Sequence, residues 1–123
     1  MAPLVRTFGA ARMAVGGLSW VAPRASAGAF GIDPETHPIV TQLFGVRDFA
    51  LGFLTATTAG QVRRQVLRVG VAIDVADTVA SIRQIRAGTM SHQSIALVAA
   101  GAALFATIGA VALAEEDAEP LAP

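Results

Sequence analysis

Residues 43–52 read Leu-Phe-Gly-Val-Arg-Asp-Phe-Ala-Leu-Gly, and they set Arg47 and Asp48 in the middle of a run, 38–59, that is otherwise uncharged. As one α-helix, the 22 residues of that run would reach about 33 Å, one bilayer core. An ionised side chain at that depth costs about 2.5–3.5 kcal/mol on insertion scales, so it needs partners. Asp48 shares a helical face with Thr41, Gly45, Gly52 and Thr55. That face is small and polar, and Gly45 and Gly52 would let a neighbouring helix come close. Arg47 lies about 100° around the helix, nearer Leu43, Leu51 and Leu54. Adjacent residues do not face each other on a helix, so Arg47 and Asp48 are expected to reach different neighbours.

Composition agrees with a membrane setting. The chain is 54% hydrophobic and 15% charged, with mean hydropathy +0.58. A soluble domain carries about 25% charged residues. Nine basic and nine acidic residues cancel, so no net charge steers the chain to nucleic acid. All nine cations are Arg, the usage of a GC-rich genome, and the expected location is a bacterial plasma membrane. Cysteine is absent, which excludes disulfides, thiolate metal sites and cysteine catalysis.

Three further segments surround the second one. The first, residues 4–22, carries Arg12 at its centre, with Gly9, Gly16 and Ser19 on the same face. It ends in Trp20 and Pro23, an interfacial anchor and a stop. A cleaved signal peptide is the rival reading, and Arg12 interrupts its would-be apolar region. Residues 23–38 hold three prolines and two glycines and read as a loop. Asp33, Glu35 and His37 lie in it without the spacing of a metal site, so no metal or other cofactor is expected. The third segment, 62–86, opens with Arg63, Arg64 and Arg68. Gly70, Asp74, Asp77 and Ser81 then fall on one helical face, opposite Val and Ile. In water that polar face would point outward; in a membrane bundle it would turn inward. The fourth segment, 94–114, has no charge at all and is the clearest span. Ala102, Ala106 and Ala110, with Gly101 and Gly109 beside them, form a small-residue ridge for helix packing. Residues 115–123 read as an acidic disordered tail.

The expected fold is all-α: a single integral membrane domain over residues 1–123, a four-transmembrane-helix bundle in up-down topology. Both termini then share one side. Arg6, Arg63, Arg64 and Arg68 flank that side, and Arg24, Arg83 and Arg86 the other. The excess of one Arg votes for cytoplasmic termini.

Arg12, Arg47, Asp48, Asp74 and Asp77 all lie near the centres of their segments, so one charge cluster is expected at one depth. Its two arginines face three aspartates. Either the cluster clamps the bundle, with Arg12 on Asp48 and Arg47 on Asp74 or Asp77, or it lines a polar pocket for a small ligand or a proton.

The run Gly45-Val46-Arg47-Asp48-Phe49-Ala50-Leu51-Gly52, after a proline-rich loop and an Arg-bearing first helix, resembles the uncharacterised DUF4267-like family of small integral membrane proteins. That family shares a Gly-x-Arg-Asp-x-x-x-Gly core in the second of four helices and an Asp-bearing third helix. The resemblance covers most of residues 4–114. It implies a four-span fold and directs attention to Arg47 and Asp48; it implies no activity.

Three classes of function follow. The first is a structural or accessory membrane subunit, with the lipid bilayer and a second copy or another membrane protein as partners. The alternative is a small-molecule or proton-coupled binding or transport protein built on the Asp/Arg cluster. An enzyme ranks last: Asp48, Asp74 and Asp77 are the only acids in the spans, and there is no Ser-His-Asp order, metal-ligand spacing or phosphate loop.

Overall fold

The computed structural model describes residues 3–29, 38–88 and 92–120. Among them the chain is all-α, in five helices: α1 Pro3–Val21, α2 Pro23–Ala29, α3 Pro38–Thr57, α4 Gly60–Ala87 and α5 His92–Ala118. The first three each start on a proline, whose fixed φ suits the first helical turn and whose missing N–H is not needed there. The ends of α4 are set by its glycines. Gly60 and Gly88 have φ of +57° and +68°, left-handed values that other residues adopt at a cost. The Gly88 amide donates to the Gln84 carbonyl at 3.1 Å, closing α4 with a glycine cap.

The bundle consists of two antiparallel pairs. α1 lies along α3, and α4 along α5. In the first pair the backbones touch. A methyl group on Gly16 would fall 2.4 Å from the Phe49 nitrogen and 2.5 Å from the Gly45 oxygen, and one on Gly52 would fall 2.5 Å from the Gly9 oxygen. The expected small face of residues 45–55 is thus the face that α1 occupies. In the second pair the buried residues of α5, among those whose side chains are described, are Gly109, Ala112 and Glu116. The two pairs meet through a small apolar core of Val5, Phe8, Leu67 and Ala112 near the end that holds Pro3, and through charged side chains farther in.

What is inside and what is outside runs against the rule for water-soluble proteins. Among the described residues the buried apolar side chains are Val5, Phe8, Ala27, Leu51, Leu67 and Ala112. The buried polar ones are more numerous and include Arg12, Ser19, Asp48, Thr55, Arg63, Arg64, Asp74, Ser81 and Glu116. Large apolar side chains stand outside on every long helix: Leu18 on α1, Phe53 on α3, Val69 and Val75 on α4, Leu104 and Val111 on α5. On the middle of α4 the pattern is inverted, because Gly70, Asp74 and Ser81 are buried while Val69, Val75, Val79 and Ile82 are exposed; nearer its start Leu67 is buried. Two helices, Pro38–Thr57 and Ala96–Ala118, are long and apolar enough to cross a membrane.

The structure departs from the sequence expectations in three places. Residues 23–29, expected as loop, form α2, which Pro23 starts and whose Ala-rich run favours helix. Residues 115–118, expected as disordered tail, extend α5, because Glu116 continues the buried stripe of Gly109 and Ala112 and pairs with Arg63. Ala110, assigned to the packing ridge, is exposed, since the face of α5 that meets α4 is centred on Gly109 and Ala112. Gly101, Ala102 and Ala106 are half-buried.

Candidate functional site

The charge cluster is built by three helices. Arg12 projects from the middle of α1 and is 1% exposed. Its two terminal nitrogens donate to the two oxygens of Asp74 on α4, at 2.6 and 3.0 Å, a fork-on-fork pair. One of those nitrogens also lies 3.0 Å from Asp48 Oδ1 on α3. The guanidinium is enclosed by aromatic rings, 5.3 Å from the centre of Phe8 and 5.0 Å from that of Phe105. Those rings meet edge-to-face at 5.6 Å, a favourable geometry for aromatic pairs. Arg12 is therefore dry, doubly paired and stacked, the setting in which a guanidinium outperforms an ammonium.

Arg47 and Asp48 go separate ways, as their helical offset requires. Arg47 donates to Asp77 Oδ2 on α4 at 2.6 Å and stacks on Phe44 of its own helix at 5.1 Å. This pair is about a third exposed, 37% and 32% for the two side chains. The five residues singled out in the sequence are thus brought together in one layer. Arg12 supplies the link between the pairs that the sequence did not single out, because it bonds Asp74 as well as Asp48.

The layer is not fully satisfied. Among the described residues, buried Asp48 Oδ2, Arg12 Nε and Arg47 Nε have no hydrogen-bond partner. A cavity of about 360 Å³ adjoins the layer on the side toward α2. Asp48, Asp74 and Asp77 all line it, whereas neither Arg12 nor Arg47 does. Ser19, Thr41, Phe44 and Phe105 contribute to the walls, with Ala102 and other small or aliphatic residues of α5.

A second ionic layer was not expected. Arg63 at the start of α4 donates to Glu116 Oε1 at 3.0 Å and to the Thr55 carbonyl at 3.2 Å. Arg64 donates to the backbone carbonyls of Glu116 and Glu119 at the C-terminal end of α5, where helix carbonyls run short of intrahelical donors; the Glu116 carbonyl also accepts from the Glu119 amide at 3.3 Å. Arg68 lies 3.4 Å from Asp117. The sequence did carry a signal: arginines at the start of one segment and acids at the end of the next must meet in an antiparallel pair.

No group of described residues has the makings of a metal site. Asp33, Glu35 and His37 lie outside the described residues. No family model, curated protein or solved structure matches the chain.

Proposed function

We propose that this chain is a multi-pass integral membrane protein in which α1, α3, α4 and α5 span the bilayer, and that it serves as a structural or accessory subunit. The observation that carries this reading is the inverted middle of α4, with Gly70, Asp74 and Ser81 inside and Val69, Val75 and Val79 outside. In water an exposed Val face would forfeit about 25 cal/mol per Å² of apolar area. In lipid it forfeits nothing, and the buried polar groups become the adhesive between helices. The same arrangement supports an architectural role for Arg12, Arg47, Asp48, Asp74 and Asp77. The small size and the large apolar side chains exposed on each of the four long helices fit a protein that packs against others of its kind. The likeness of residues 45–52 to the DUF4267-like family accords with four spans and adds no activity. Chemical cross-linking in native membranes is the test. A reproducible adduct with a second copy or another membrane protein is the expected result; recovery of monomer alone would contradict the accessory role.

A second reading is favoured by the cavity beside the charge layer. A mostly apolar cleft with a few polar groups at its wall is a usual form of a small-molecule site. Here the charged residues at the wall are Asp48, Asp74 and Asp77. On this reading the chain binds or carries a small ligand, and the cluster both holds the helices and faces the ligand.

A further inference from the structure

We infer that the end of α4 that carries Arg83 and Arg86 holds an anionic phospholipid, with the phosphate on the two guanidinium groups and an acyl chain along the outer face of the helix. The inference rests on the membrane reading of the chain and adds a partner to it. Charge is handled differently at the two ends of the bundle. At the end that holds Pro3, Arg63, Arg64 and Arg68 are tied to Glu116 and Asp117. Every acid of the described residues outside the mid-depth layer stands at that end. At the opposite end Arg24, Arg83 and Arg86 are exposed, and among the described residues none of them has an ion-pair partner. The segment joining α2 to α3 adds Asp33 and Glu35 in sequence, two acids against three arginines.

In a bilayer these two arginines come to headgroup depth. α4 has 28 residues, about 42 Å of helix, and outruns a hydrocarbon core of about 30 Å. Arg83 and Arg86 lie about 9 and 14 Å along the axis beyond Asp77 of the mid-depth layer, and half of the core is about 15 Å. Arg83 falls about 180° around the helix from buried Asp74, so it rises from the outer face. Ala76, Val79, Ala80, Arg83 and Gln84 line one shallow depression on that face. Its floor is apolar up to Arg83, whose guanidinium then reaches along the helix to the interface, as long cationic side chains do. Phosphate is the anion a bilayer offers at this depth, and a guanidinium grips it through two parallel bonds. A free phosphate would leave the apolar floor bare, whereas a phospholipid covers it with its chain. The excess of cations favours a lipid of net negative charge over one whose own ammonium balances its phosphate.

The test uses the full chain in vesicles of phosphatidylcholine with a minor share of phosphatidylglycerol, one or the other brominated in its acyl chains. Trp20, the single tryptophan, is removed as Trp20→Phe. Ile82→Trp then sets the fluorophore at an exposed position beside Arg83, outside the depression. Brominated phosphatidylglycerol is expected to quench it beyond its share of the lipid, with a preference over phosphatidylcholine of about fivefold, the effect of one arginine at an anionic surface, or more. Arg83→Gln with Arg86→Gln is expected to return quenching to that share while the protein melts as before. Arg6→Gln, at the other end, is expected to leave it unchanged. Salt at about 1 M is expected to lower the preference in the parent, without further substitution. Quenching by both lipids in proportion to their shares would overturn the inference and leave the membrane reading intact. Quenching by neither lipid would overturn both, since Ile82 would not face lipid. A preference that survives both the double substitution and high salt would overturn the assignment to Arg83 and Arg86.

Discussion

Arg12 is the residue on which the two helix pairs depend. It is the most enclosed cation of the described chain, it holds Asp74 through two bonds and touches Asp48, and two phenylalanine rings cover it. Removing one member of such a buried set leaves the others without compensation. Arg12→Gln is therefore expected to cost about 3–5 kcal/mol, read as a large fall in melting temperature in detergent. Arg47→Gln should cost less, about 1 kcal/mol, because the Arg47–Asp77 pair is a third exposed. Equal losses in the two variants would contradict this ranking. The sequence drew attention to Arg47 and Asp48 because they interrupt an apolar run. It also gave their divergence, which follows from the 100° step between neighbours on a helix. The greater weight of Arg12 was not legible, since its enclosure depends on Phe105 of α5 as well as on Phe8, four residues back on its own helix.

At the scale of elements, glycines decide how α1 meets α3. Gly16→Ala would drive a methyl group to within 2.4 Å of the Phe49 nitrogen. The backbones must part, at an expected cost of about 1–3 kcal/mol in the melting of the detergent-solubilised protein. Gly70 on α4 is the internal control. A methyl group there meets nothing within 4 Å, so Gly70→Ala should stabilise by about 0.5–1 kcal/mol through helix propensity alone. The end of α5 gives a third contrast. Glu116 is buried against Arg63, whereas Glu115 is exposed. Glu116→Ala is expected to lose about 3–5 kcal/mol, and Glu115→Ala no more than about 0.5 kcal/mol. Equal, negligible effects would mean that residues 115–118 behave as a free tail. The four long segments could be read from hydrophobic runs and their breaks. α2 and the last turn of α5 could not, because a short Ala/Gly stretch and an acidic run both look like loop until a neighbour is in place.

At the scale of the molecule, the chain encloses charges and displays valine, leucine and phenylalanine. Two ionic layers account for most of the buried polar groups, one at mid-depth around Arg12 and one at the end of the bundle around Arg63, Arg64 and Glu116. The direction of α4 was an open choice in the sequence, since an amphipathic helix fits either solvent. The ion pairs settle which face turns inward: Asp74 and Asp77 have arginines waiting on α1 and α3. The absence of cysteine permits a direct test of what surrounds the outer face. Single cysteines at Val75, Val111 and Glu119 would be exposed in native membrane vesicles, opened on both faces, to a charged maleimide. Prompt labelling is expected at 119, and protection at 75 and 111 until the membrane is dissolved. Labelling of Val75→Cys as fast as Glu119→Cys in the intact bilayer would contradict it, because the valine face of α4 would then lie in water.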